Sequence, residues 1–441
     1  MKLDDWLAQR SQSCPERTAL LADGSEVTYA ELEAEATWVA RRLTAHGVRR
    51  GSLVAMTAHP RREQVVMIHA LMKAGAVLLP LGPRLSPEER AAILAAEEPA
   101  VDLDDAGELT QNEADLPLLG EHDMDDVAAR VMTSGSTGRP DPVGLTYGNF
   151  LWNAVGSAFN IGVEPSDRWL CCLPLSHISG LGIVMRSVIY GTTAVIHDGF
   201  DVDRVAASLE RDEISVVSLV TTMLLRLLEA GADLSGPRAI LVGGGPVPED
   251  PLDEALGRGA TVVQTYGLTE SCSQVTTLAP ADARRKLGSA GRPLLTTHLR
   301  IREGEILVQG PTVAPGRADA DGWLHTGDLG RIDEEGFLYV EDRIDDMIVS
   351  GGENVVPAEV EKVLLRHPEV ADAAVVGRED PEWQQAVTAI VVLQEGSELS
   401  PDELRRHCAE SLAGYKVPKR VELAAALPRT PSGKLMRRAL R

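Results

Sequence analysis

Apolar positions along the first 125 residues switch between two periods. In "TYAELEAEATWVARRLTAHGV", Leu32, Ala36, Val39 and Leu43 recur at spacings of three and four, which is one face of a helix. The spacing predicts a helix that starts after Thr28 and stops at Gly47. "SLVAM" predicts a strand, "QVVMIHALMKAGAVLLPL" a helix running into a strand, and "PEERAAILAAEEP" a short helix behind Pro87. The acidic stretch "DLDDAGELTQNEADLPLLGEHDMDD" has no period and reads as an exposed connection. Residues 165 to 290 repeat the alternation: "RVAASLERDEI" and "TTMLLRLLEAGA" as helices, "SVVSLV", "RAILV" and "TVVQTYG" as strands. Such βαβ order predicts a mainly parallel sheet with helices on both faces and ligands beyond the carboxyl ends of its strands. Gly243 to Gly245 and Tyr266–Gly267 fall at such ends.

From about residue 296 the pattern turns to short strands, "HLRI", "GEILVQG", "WLHTGDLGRID" and "GFLYVEDR", which predicts a small β-rich subdomain. After "DRIDDMIVSGGEN" a helix over "PAEVEKVLLRHPEV", strands over "ADAAVVG" and "AVTAIVVL" and a capped helix at Ser400 and Glu403 form a second unit. The expected fold is therefore α/β: a large N-terminal domain, 1–344, of helix-flanked sheets plus the β-rich piece, joined near Asp345 to a small α+β domain, 345–441.

The length, 441 residues, supports more than one core. A formal charge of −23 argues against nucleic acid or an anionic membrane surface as the main partner. An anionic substrate then has to be met by locally placed cations and backbone N–H groups. Five cysteines without a CxxC pattern, no secretory leader and no stretch of membrane-spanning length make reduced thiols in a cytoplasmic protein the expectation.

Several stretches have the residue types that chemistry needs. "TSGSTG" (133–138) is small and rich in hydroxyls, so its backbone can approach an anion; alone it reads as a phosphate cradle or as a plain turn, and it lacks the lysine of a Walker loop. "QTYGLTES" (264–271) sets a ring, a hydroxyl and Glu270 at a strand end, where Glu270 offers oxygen to Mg2+. "WLHTGDLG" (323–330) presents Asp328 in a glycine turn, suited to two ribose hydroxyls or to a β-turn alone. "PRTPSGKLMRR" (428–438) lifts Lys434 on a Ser-Gly turn just before a terminal helix.

Together and in this order, these motifs resemble the adenylate-forming superfamily of acyl-CoA synthetases, over nearly the whole chain. "CLPLSHISGLGIVMRSVIYG", "LVGGGPVPEDPLDEA", "VVQTYGLTESCSQVTTLAP" and "KLGSAGRPL" resemble its branch of ligases that join 2-succinylbenzoate to coenzyme A in menaquinone biosynthesis. The resemblance implies a large N-terminal domain with a β-barrel-like piece, a hinged C-terminal domain, and ATP, Mg2+ and coenzyme A as co-substrates and cofactor. A carboxylate attacks the α-phosphorus of ATP, and after domain rotation the CoA thiol attacks the acyl-adenylate.

By motif match, the resemblance gives Thr133, Ser134, Gly135, Ser136, Thr137 and Gly138 to the phosphates, Thr269 to the α-phosphate and Glu270 to Mg2+. It gives Gly243, Gly244, Gly245, Tyr266 and Gly267 to the adenine and acyl pockets, Asp328 and Arg343 to the ribose, and Gly351 and Gly352 to the pantetheine path. Asp345 is the hinge and Lys434 the cation between the reacting anions. His177 falls where the family sets a residue against the acyl carbonyl. Arg186, expected on the same pocket wall as His177, is the candidate for the second carboxylate of an aromatic dicarboxylate. Gly180, Gly182, Ser289, Ala290 and Gly291 are expected to keep that pocket open. A homodimer stays open as the assembly.

One position departs from the pattern. The family's loop continues Pro-Lys-Gly, and this chain has Pro140-Asp141-Pro142. A cation on the outer phosphates is replaced by an anion, and Arg139 is the nearest cation to compensate. Two alternatives follow: a ligase for another aryl or short acyl acid, or a nucleotide-binding relative with impaired turnover.

Overall fold

Local signals set the first helices of the fold, seen in a computed structural model that describes residues 1–104, 117–133, 141–245, 247, 249–350, 353–381, 383–429 and 435–441; the side chains of Asp345 and Asn354 lie outside that description. Thr28 Oγ1 accepts the Glu31 N–H at 3.2 Å while the Glu31 carboxylate accepts the Thr28 N–H at 2.8 Å. This reciprocal cap opens the helix Tyr29–Ala45 where the sequence placed it. Ser86 with Glu89 and Ser400 with Glu403 do the same for the helices Pro87–Glu97 and Pro401–Ser411.

The chain groups into two compact units: Met1–Leu299 with Val308–Leu324, and Arg300–Leu307 with His325–Arg441. The grouping falls ahead of residue 345 because Asp342 is tied to later residues: its carboxylate accepts the Ala358 N–H at 2.9 Å.

The first unit has a nine-stranded sheet whose order is Arg292–Pro293, Ser273–Thr277, Val262–Leu268, Ala239–Gly243, Val216–Val220, Arg168–Cys171, Thr193–Ile196, Thr18–Ala22, Ser25–Thr28. The six strands from Val262–Leu268 to Thr18–Ala22 run parallel, and the flanking ones are antiparallel. Central parallel strands are covered on both faces, so they read as continuous apolar runs. Val216 and Val217 are both buried for this reason. Leu170, Val217, Ile240 and Val242 pack with Val205, Leu209, Leu224, Leu227 and Leu252 of the helices Val202–Arg211, Thr221–Glu229 and Glu249–Gly257. Each such side chain contributes roughly 1.5–3 kcal/mol when fully buried. Trp169, next to Leu170, points to the opposite face, toward the helix Ile178–Tyr190.

A second sheet in this unit has the order Val101–Asp102, Leu53–Thr57, Val77–Leu81, Val127–Thr133, Asp141–Thr146. Its last pair is an antiparallel hairpin with Thr133 opposite Asp141. Asp141–Thr146 is an edge strand, so the missing N–H of Pro142 costs no ladder bond there. The acidic stretch departs from expectation: Glu121–Asp123 pairs antiparallel with Lys2–Asp4, and His122 is buried against the Tyr147 ring at 4.1 Å. Three residues are too few to show a period in sequence.

His298–Arg302, Glu305–Gln309, Leu324–Ile332 and Leu338–Arg343 form a four-stranded sheet, the β-rich piece read from sequence. A further sheet has the order Glu353–Val355, Ile348–Ser350, Gln384–Leu393, Val370–Asp380, with Arg420–Leu423 also on Gln384–Leu393. Val360, Leu364, Leu404 and Cys408 of the helices Pro357–Leu365 and Pro401–Ser411 bury against Val375, Val387 and Ala389. Where a terminal helix was expected, Arg437–Leu440 makes one 3-10 turn, and the Arg378 guanidinium donates to the Leu440 carbonyl at 3.1 and 3.2 Å. Among the described residues no helix is long and apolar enough to cross a membrane.

Candidate active site

The "QTYGLTES" motif is shaped by close backbone approach. The strand Val262–Leu268 changes register against Ser273–Thr277 between Tyr266 and Gly267. A Cβ on Gly267 would lie 1.6 Å from the Ser273 carbonyl oxygen, so only glycine fits. The motif then enters a 3-10 turn, Thr269–Ser271, which carries Glu270. On the neighbouring strand, a Cβ on Gly243 would lie 2.8 Å from Thr265 Cγ2, and Gly244 has φ +81°. These glycines let the strand ends and their turns approach one another.

Two groups of predicted residues are brought together in the first unit. One surrounds Arg186, which is 4% exposed. Its guanidinium donates to Asn153 Oδ1 at 2.5 Å, and its Cζ lies 5.5 Å from the Trp169 ring centroid. Asn153 is itself oriented by donating its amide to the Gln274 carbonyl at 2.9 Å. Gln274 is the strand partner of Gly267, so Arg186 is linked to the nucleotide motif through one amide. Gly182 leaves room for the guanidinium, because a Cβ there would lie 3.3 Å from Arg186 Nη1. Among the described residues no carboxylate pairs with Arg186, its Nε is buried without an acceptor, and burial pushes its pKa down.

Ser289 is fully buried, and its Oγ accepts the Gly291 N–H at 3.0 Å. Gly291 has φ +87° and presses on the Thr277–Leu278 peptide, where a Cβ would sit 2.1 Å from the Thr277 carbonyl carbon. Gly180 packs similarly, a Cβ there lying 2.4 Å from the Pro174 carbonyl oxygen. Backbone contact thus accounts for Gly180 and Gly291 being small, where the sequence suggested open pocket space.

His177 caps the helix Ile178–Tyr190 through its backbone, accepting the Leu181 N–H at 3.0 Å, and burial pushes its imidazole pKa down. His177 is the N-cap of this helix, with extended φ −111° and ψ 148°, and Arg186 lies within the helix.

The second group surrounds the phosphate-loop motif. Thr133 closes the neck of the hairpin by donating to the Asp141 carbonyl at 3.1 Å. Ser134, Gly135, Ser136, Thr137, Gly138 and Arg139 lie outside the described residues. The Asp141 carboxylate is gripped by Arg317, Nη1 to Oδ2 at 2.5 Å and Nη2 to Oδ1 at 2.9 Å, which holds its carboxyl below the usual range. The turn that carries Arg317 is joined to Glu270, whose carbonyl accepts the Ala314 N–H at 2.8 Å.

In the second unit, Asp328 stands opposite Arg343 in the antiparallel ladder, Oδ1 to Nε at 3.2 Å. Thr326 Oγ1 accepts the Asp328 N–H at 3.1 Å and donates to the Ile306 carbonyl at 2.7 Å, which fixes the "HTGDLG" turn. Gly351, Gly352 and Lys434 lie outside the described residues, and Asp345 is placed by its backbone in the 3-10 turn Ile344–Asp346.

The family model for "AMP-binding enzyme" matches residues 7–316. The chain belongs to that family. The "AMP-binding enzyme C-terminal domain" model matches residues 359–434 and ends on the lysine picked from sequence. A 2-succinylbenzoate–CoA ligase of Bacillus subtilis is 42% identical, with 99% of this chain and 97% of the relative covered. An o-succinylbenzoate CoA synthetase from Bacillus subtilis, solved with the acyl-adenylate intermediate, is similar at TM-score 0.92 and 40% identity, covering 100% of this chain and 98% of that one. The same enzyme solved with ATP and magnesium matches at TM-score 0.91 and 40% identity, over 100% of both chains. The motif residues therefore sit in an α/β adenylate-forming fold. Sequence reasoning missed Arg317, Asn153 and Gln274. Arg317, in "APGRADADG", has no local signal. Asn153 has one, a polar residue on the apolar helix Tyr147–Ile161.

Proposed function

We propose that this protein ligates 2-succinylbenzoate to coenzyme A at the expense of ATP, through an acyl-adenylate, in menaquinone biosynthesis. The observation that carries the substrate reading is Arg186, a buried guanidinium with no carboxylate partner among the described residues. A buried charge is costly until it is paired, and the ring carboxylate of the substrate supplies the pair. Relatives named for the same acid, 42% identical over nearly the full length, support the reading.

In the first step, an oxygen of the succinyl carboxylate bonds to the α-phosphorus, the bond to the β-phosphate oxygen breaks, and pyrophosphate leaves. Lys434 stabilises the charge between the two anions, and Thr269 donates to the α-phosphate. Glu270 is a carboxylate beside the phosphate-loop neck, and one carboxylate with phosphate oxygens is a donor set that suits Mg2+. Bound there, Mg2+ would neutralise charge on the outer phosphates. Gly243 to Gly245, Tyr266 and Gly267 border the adenine and acyl sites, and Asp328 with Arg343 hold the ribose. In the second step the C-terminal residues from 345 onward turn about Asp345, Gly351 and Gly352 line the pantetheine path, and the thiolate displaces AMP. His177, neutral by burial, faces the acyl end, with Ser289 and Gly291 packed behind that pocket. Five free cysteines suit a cytoplasmic enzyme.

The test is a panel of acids with ATP, Mg2+ and CoA, read by thioester mass. The 2-succinylbenzoyl thioester should form at least ~100-fold faster than products from aryl monocarboxylates. Preference for a monocarboxylate would move the protein to another ligase class, and absence of pyrophosphate release with every acid would leave a nucleotide-binding relative.

A further inference from the structure

The departure at Asp141 is met by an arginine 176 residues away. Asp141 stands opposite Thr133 at the neck of the phosphate loop, and the Thr133 hydroxyl donates to its carbonyl. Its carboxylate is held by both terminal nitrogens of Arg317, at 2.5 and 2.9 Å. Arg317 Nη2 also donates to the Pro142 carbonyl at 2.6 Å. Three bonds from one planar guanidinium to two consecutive residues define a direction as well as an attraction. The other side of Arg317 is fixed too. Its N–H bonds to the Ala314 carbonyl at 3.1 Å, and the Ala314 N–H bonds to the Glu270 carbonyl at 2.8 Å. The strand Asp141–Thr146 packs against the turn Thr269–Ser271. The Glu270 carboxylate acts electrostatically on the same guanidinium.

We infer that Arg317 is a positioning residue for ATP: by clamping Asp141 and the Pro142 carbonyl it fixes the neck of the phosphate loop relative to Glu270. Two consequences follow. The carboxylate that replaces the expected lysine no longer repels the phosphates, because its charge is spent on Arg317. A cation from a distant turn, Arg317, thus balances the carboxylate at the loop neck. The strength of phosphate binding then depends on how well the neck, Thr133 with Asp141 and Pro142, is held. The inference rests on the ATP-dependent reading above but not on which acid is used.

The probe is MgATP alone, titrated calorimetrically into the full chain without acid or CoA. Arg317→Gln should weaken MgATP about five- to tenfold, and Asp141→Asn by a similar factor, since each breaks the same clamp. The double variant should bind no more weakly than either single one, which is the signature of two residues acting as a unit. Arg317→Lys, with one ammonium in place of a fork, should recover part of the loss. In turnover the loss should appear in the KM for ATP, with kcat held within about twofold. Unchanged binding in Arg317→Gln overturns the inference, as do multiplying losses in the double variant. Tighter binding in Asp141→Asn also overturns it, because Arg317 would then contact phosphate directly. If Arg317→Gln does not fold, Arg317→Lys and Asp141→Asn decide the same question. If 2-succinylbenzoate is not the acid, the calorimetric result stands unaffected, so the two readings fail separately.

Discussion

Arg186 Nη2 donates to Asn153 Oδ1 at 2.5 Å, and both residues are buried. The amide cannot neutralise the guanidinium; it only aims it. In the function proposed here, this aimed, desolvated cation meets the anion that arrives with the substrate. Replacing Arg186 by Ala should therefore raise the KM for 2-succinylbenzoate on the order of 30- to 100-fold, the size of a lost charged hydrogen bond of about 2–3 kcal/mol. Turnover of an acid that lacks the ring carboxylate should change little. Steady-state kinetics on the two acids checks this.

Asn153→Asp tests the same geometry from the other side. A carboxylate at that position would pair with Arg186 permanently and compete with the substrate. The KM for 2-succinylbenzoate should rise at least tenfold, with thermal stability equal to or above wild type, since a buried guanidinium gains a partner. A fall in stability without a change in KM would show that Asn153 serves packing alone.

Lys434→Ala should separate the two half-reactions. Pyrophosphate release should fall by on the order of 10²–10³-fold, because the cation at the developing charge is gone. Thioester formation from synthetic acyl-adenylate should stay within about tenfold of wild type, since that step is proposed to follow domain rotation. Mass detection of product from each starting point separates them.

Gly267→Ala should be among the most damaging single-methyl additions in the chain. Its Cβ would meet the Ser273 carbonyl oxygen at 1.6 Å, and backbone cannot swing away as a side chain can. A loss of about 3 kcal/mol or more is expected, read as a lowered denaturation midpoint or as insoluble protein.

Acid should destabilise the protein through His69. The side chain is 3% exposed, and burial pushes its pKa down to about 4. The unfolded chain binds a proton near the ordinary value of about 6.5, so between these values it holds more protons than the folded chain. Stability contributed at this site is complete above about pH 6.5 and declines as pH falls toward 4, by on the order of 3 kcal/mol. His69→Gln should flatten that part of the Tm-against-pH curve.

Much of the fold was legible because its signals are local. The caps at Thr28 and Ser400, the apolar strands around Val217 and Ile240 and the glycine turn at Gly244 each depend on neighbours a few residues away. The pairing of Glu121–Asp123 with Lys2–Asp4 was not legible, since a three-residue strand is chosen by its partner. The site divides the same way. The motif order named the family, because close backbone approach and charge at a turn demand particular residue types, whereas Arg317 in "APGRADADG" left no local signal.

Composition and motif order by themselves determined an acidic two-domain α/β enzyme that adenylates a carboxylate. Only the tertiary structure decided who partners whom. Arg317 reaches Asp141 across 176 residues and Asn153 reaches Arg186 across 33. Charge and hydrogen bonding act through space, and contacts at such separations leave no period or spacing in the chain from which they could be read.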